Sequence, residues 1–180
     1  RPVSSWEKTA VREKDGSETK VPTYPHHLLC DEKNAYPAGF NDWEKAVLKA
    51  EMARDGFKFW YRNPSRPTQD SLGVAYVNGD ETKIVRPDFL FFAEESKGKV
   101  VADIVDPHSI GWGDALPKLK GLARYAAAHP GVFRRVEAVA EVGGGLRVLD
   151  LTRADIQKAI EDATSAKALY EGGLANDYGA

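Results

Sequence analysis

The stretch "VRPDFLFFAEESKGKVVADIVDPH", residues 85–108, constrains this chain more than any other. Two apolar runs, residues 89–92 and 100–105, flank a turn at "EESKG" and read as neighbouring buried strands. Each carries an aspartate, Asp88 and Asp103, where a buried strand has no use for charge. A lone desolvated carboxylate is costly, and two unpaired ones side by side are worse. The remedies are a paired cation or a divalent metal, and hard oxygen ligands of this type suit Mg²⁺ or Mn²⁺. A hairpin that sets the Asp88 end beside the Asp103 end brings both carboxylates together. Alternation puts Val101, Asp103 and Val105 on one face and Ala102, Ile104 and Asp106 on the other. In a competing reading the aspartates cap turns or pair with Arg86 and Lys99.

The rest of the chain supplies covering layers. A helix is expected from about 42 to 55, capped by Asn41 or Asp42 and stopped by Gly56. Trp43, Val47, Leu48 and Ala50 form its buried stripe, and Glu44 and Glu51 share the flanking face, within reach as a third metal ligand. "FKFWYRNP", "LGVAYV", "TKIVRPDFLFF" and "KVVADIV" read as strands, with a hairpin turn at Asn78–Gly79. A second helix is expected over 114–128, then strands "RRVEAVAEV" and "LRVLDL", then a closing helix capped by Thr152. This order gives an α/β fold, a mixed sheet flanked by helices. The expected divisions are a polar leader of short extended pieces (1–40), a core (41–166) and a C-terminal tail (167–180).

Composition narrows the function. The net charge of −2 announces no polyanion partner, so any DNA site must be a local patch. Cys30 is the sole cysteine, which excludes an internal disulfide framework and suits a reducing, cytoplasmic setting. His26, His27 and Cys30 fit no closed zinc set, because adjacent histidines point to opposite faces of a strand. No run approaches the roughly 20 apolar residues of a membrane helix, and no signal peptide is evident. The start at Arg1 suggests a piece of a longer protein. No GxxxxGK[ST] stretch occurs, so an ATP motor would lie outside this chain.

"RPDFLFF", followed after a turn by "VVADIV", resembles the PD-(D/E)xK nuclease motif. The order helix, three strands, helix, strand resembles that restriction-endonuclease-like core. More narrowly, Trp43–Glu44, "FKFWYRNP", Pro87–Asp88–Phe89 and "LPKLKGLARYA" resemble the C-terminal nuclease-like domain of DEAD/DEAH-box helicases of the type III restriction kind. The resemblance covers about residues 41–160. It implies metal-dependent hydrolysis of DNA phosphodiesters, with Asp88 and Asp103 holding Mg²⁺ (or Mn²⁺), Glu44 as an auxiliary ligand, and the helicase region of a parent chain as a partner. The motif lysine belongs two residues after Asp103, where Val105 stands. Three substitutes follow: Lys118 or Lys120 from the next helix, His108 of "DPH" as general base, or no cutting at all. In the last case the domain is a catalytically degenerate module that grips DNA or docks to its helicase. A plain structural domain is a third possibility. Lys58, Arg62 and Arg66, interleaved with aromatics, and Arg124 on the second helix are the expected phosphate contacts.

Overall fold

The computed structural model describes residues 10–30 and 32–179. The leader forms two short antiparallel pairs, β1 (Ala10–Arg12) with β2 (Glu18–Lys20), and β3 (Thr23–Tyr24) with β4 (Tyr36–Pro37). Helix α1 (Asp42–Met52) opens with a complete capping box. The Asn41 side chain accepts from the Glu44 N–H, and the Glu44 side chain accepts from the Asn41 N–H.

The chain then lays down β5 (Phe57–Arg62), the hairpin β6 (Val74–Asn78) and β7 (Glu81–Val85), β8 (Phe89–Ser96) and β9 (Lys99–Pro107). After α2 (Ala115–Ala128) come β10 (Arg135–Val142), β11 (Gly145–Asp150), α3 (Ala154–Asp162), α4 (Ala166–Glu171) and β12 (Asn176–Asp177). The central sheet has six strands in the order β12-β11-β10-β9-β8-β5. Only β9 and β10 run parallel, joined by α2 as crossover. The architecture is the expected mixed α/β sheet with flanking helices.

Each sheet face buries its own core. Val47 and Leu48 of α1 pack with Trp60, Phe89, Phe91 and Val105, together with Tyr36 and Phe40 from the leader. On the other face Ile104, Val136 and Leu149 pack against Leu119 and Leu122 of α2, Ile156 and Ile160 of α3, and Tyr170 of α4. The leader and the C-terminal segment thus belong to the core rather than hanging from it. Three local expectations fail for physical reasons. "TKIVRPDFLFF" is two strands in different sheets, because Pro87 removes an N–H donor and breaks the ladder. Thr152 does not cap α3; its hydroxyl donates to Asp150 Oδ1 at 2.6 Å. The closing helix is two helices, the second capped by Ser165.

Candidate active site

The β8–β9 register decides which carboxylates meet. Phe89 lies opposite Val105 and Phe91 opposite Asp103, so one step beyond the strand end Asp88 faces Asp106. The Asp88 N–H donates to Asp106 Oδ1 at 3.0 Å. Asp88 is further fixed by the buried Asn63, whose N–H donates to the Asp88 carbonyl and whose Nδ2 donates to that of Pro87.

The expected pairing of Asp88 with Asp103 is therefore corrected. Asp103 shares its face with Val105 and looks toward α1, whereas Asp106 shares its face with Ile104 and looks toward α2. Asp103 is also already neutralised. Arg134 forks onto its two oxygens at 3.0 and 2.5 Å, and Arg135 adds contacts at 3.0 and 2.8 Å. Arg135 continues to Glu51, which also accepts from Arg54 and from the Tyr178 hydroxyl. Burial pushes the Asp103 carboxyl up, but the two guanidiniums outweigh it and hold it below the ordinary range. This is a closed structural network, and it answers where the positive charge for Asp103 resides.

Asp88 and Asp106 have no such relief. Burial, then the neighbouring Asp106 and Glu44 carboxylates, push Asp88 up to about 7 against a pull from Arg62. Burial pushes Asp106 up to about 7 against the Asp88 N–H and Lys118. They sit at the end of a cleft of about 320 Å³ lined also by Arg86, His108, Trp112 and Lys118. The cleft lies beyond the carboxyl end of β9, which runs parallel to β10, where open α/β sheets receive ligands.

The other expected site residues fall on either side of this cleft. Lys118 lines it, paired with Asp114 at 2.8 Å. Lys120 does not, because the helix turns it toward α3, where it donates to the Glu161 carbonyl. His108 lines the cleft, its N–H held by the Val139 carbonyl. Its Nδ1 lies 3.3 Å from the Asp106 carbonyl oxygen, which can only accept, so Nδ1 carries the proton and Nε2 accepts from the Tyr170 hydroxyl at 3.2 Å. Burial pulls its pKa down to about 4, so the ring is neutral, with both nitrogens engaged, and it is a weak base. Glu44 stands near Asp88, but one oxygen caps α1 and the other pairs with Arg62 at 3.1 Å. Arg62 does not line the cleft; it stacks over Phe40 with its Nη1 buried and unpartnered. Lys58 pairs with Glu94, and Arg124 forks onto Glu161, away from the cleft. Arg66 is exposed in the loop after β5. His27 is buried against Tyr36, and burial pulls its pKa down to about 3, so it is a neutral core residue that accepts from the Leu29 or the Arg62 N–H with one ring nitrogen.

Among the described residues no group of three His, Cys, Asp or Glu side chains forms a ready-made metal cage. The Asp88–Asp106 pair nevertheless fits Mg²⁺ or Mn²⁺. Mg²⁺ commonly takes one or two carboxylates and completes its shell with water and substrate phosphate. Two adjacent, desolvated hard-oxygen donors without a forked arginine are such a pair.

Asp106, Arg86 and Trp112 were missed by motif spacing. Counting back from the tight turn at Gly98, where Ser96 pairs with Lys99, sets Asp88 opposite Pro107; the register shift between Glu94 and Ser96 moves it opposite Asp106, and no residue pattern announced that shift.

No helix among the described residues is long and apolar enough to cross a membrane. No solved structure matches the chain. It is 56% identical over 178 residues to Protein YagJ of Escherichia coli (strain K12), a match covering 99% of this chain and 72% of that protein. The YagJ family matches residues 25–179, nearly all of the fold including the whole cleft, and the chain belongs to that family.

Proposed function

We propose that the cleft hydrolyses DNA phosphodiester bonds with a divalent metal, in the manner of the PD-(D/E)xK nucleases, with Asp88 and Asp106 as the metal ligands. The observation that carries this reading is the pair itself. Two carboxylates meet at a sheet end, both pushed to about 7, at a cleft that Lys118, Arg86, His108 and Asp114 also line. Keeping such a pair costs stability, which makes sense where the charge is used. The order of α1, β8, β9, α2 and β10 also supports the resemblance. With Asp106 as the second acid, the position two residues on is His108, not Val105.

A bound Mg²⁺ or Mn²⁺ supplies Lewis-acid polarisation of the scissile phosphate and a water of lowered pKa. The protein's residues do the rest. Asp88 and Asp106 would hold the cation through their carboxylate oxygens, whose protonated forms burial otherwise favours. Lys118 offsets charge that develops on the phosphate, and Arg86 orients it. His108, locked by Tyr170, positions the Asp106 backbone rather than accepting a proton.

The test is Mn²⁺ titration by calorimetry together with cleavage of duplex and single-stranded DNA. Wild type is expected to bind Mn²⁺ more tightly at pH 8 than at pH 6, since protons compete near 7, and to cut. Asp106→Asn and Asp88→Asn are expected to lose both activities, and Asp103→Asn to keep metal binding if it remains folded. Metal-independent behaviour of wild type would sink the proposal. The engaged His108 favours one second reading, a domain of the same fold that grips DNA or docks to a helicase without cutting. DNA binding without cleavage under any metal would support it. In Protein YagJ the sequence outside the match is shorter than this chain, so a helicase motor in this reading is a separate polypeptide partner there.

A further inference from the structure

Trp112 is 69% exposed, although tryptophan is among the side chains most buried on average. It stands at the mouth of the same cleft as Asp88 and Asp106. The loop that carries it is "SIGWGD", and glycines flank the ring on both sides. A Cβ at Gly113 would meet nothing within 4 Å, and one at Gly111 would meet only Ser109 Oγ at 3.7 Å. Neither glycine is therefore required by packing against the rest of the fold. The loop is nonetheless tied down. The Gly111 N–H donates to Ser109 Oγ, and the Ala115 N–H donates to the Trp112 carbonyl. Lys118 Nζ lies 5.6 Å from the indole centroid, a cation–π contact that also fixes the ring.

A flat, fixed, open aromatic face with Lys118 beside it, in a cleft that Arg86 also lines, is what an unpaired nucleobase needs: stacking for the base, ammonium and guanidinium for its phosphates. Bases inside a duplex are stacked on each other and cannot use such a face without being extruded. We infer that Trp112 is a stacking platform that makes the cleft select single-stranded or frayed DNA over intact duplex. This deepens the proposed nuclease reading and rests on it for the identity of the ligand as DNA.

The test uses the intact protein in EDTA, where no cutting occurs, and follows tryptophan fluorescence while a short oligothymidylate or a closed duplex hairpin is added. The oligothymidylate is expected to quench the emission and the hairpin not to. Trp112→Ala is expected to remove the quench and weaken single-strand affinity about tenfold, with Trp112→Phe recovering much of the affinity. Unchanged single-strand affinity in Trp112→Ala would overturn the inference while leaving the nuclease reading intact if wild type still cuts. Equal quenching by the hairpin would overturn it as well. Loss of metal-dependent cleavage with the quench preserved would instead remove the nuclease reading and leave Trp112 as the base contact.

Discussion

Two aspartates three residues apart on β9 have opposite electrostatic lives, and pH separates them. Asp106 is held above its ordinary range in the folded chain. Its stabilising contribution is therefore full below about pH 4, the unfolded value, and declines as pH rises through about 7. Asp106→Asn keeps the oxygen that accepts the Asp88 N–H but removes the buried charge. We expect it to melt above wild type at pH 8, with the gap closing toward pH 4, in thermal scans without metal. Asp103 is held below its range, so its contribution is present above about pH 4 and is lost as pH falls through the folded value. Asp103→Asn should destabilise the protein by about 3 kcal/mol at pH 7 in urea titrations, because it strands Arg134 and takes one of three acidic partners from Arg135. A stabilised Asp103→Asn would contradict the closed network. The residue chemistry was legible in the sequence as a carboxylate problem. Its solution was not, because Arg134 and Arg135 lie more than thirty residues downstream and reach Asp103 only through the parallel β9–β10 pairing.

At the scale of elements, the placement of α2 decides what stands over the cleft. Gly121 lets α2 press against the β6–β7 hairpin, where an added Cβ would come within 2.5 Å of Tyr76 Cβ and 3.2 Å of the Ala75 carbonyl oxygen. Tyr76 in turn reaches Asp114 at 3.4 Å, and Asp114 holds Lys118. Helix propensity alone gives Gly121→Ala a gain of about 1 kcal/mol. Overpacking should reverse that sign, with a net loss of about 1–2 kcal/mol in urea midpoints. The same helix shows why Lys118 and Lys120 could not be separated by pattern. Both lie on polar positions of an amphipathic helix, and only the hairpin on one side and α3 on the other decide which looks into the cleft. The starts of α1 and α2, the Asn78–Gly79 turn and the alternating strands follow from local chemistry and were legible. The break at Pro87 was legible too, but the apolar run on either side concealed it.

For the whole molecule, the sheet is filled from both faces by segments far apart in the chain, from Tyr36 to Ala175. Tyr36 and Phe40 close one face, and Tyr170 closes the other while fixing His108 at the cleft. Polarity along the chain reports local composition, and the partners that these aromatic residues find at long range are not part of it. The outer strands show the same economy. Beyond β5, residues 26–28 exchange backbone hydrogen bonds with Trp60, and beyond β11, β12 pairs with Arg147 and Val148 while the Tyr178 N–H donates to Leu146. Both rims of the sheet therefore have stretches already occupied by the molecule's own extremities, which leaves a foreign strand little ladder to zip onto and spares the fold a common route into fibrils.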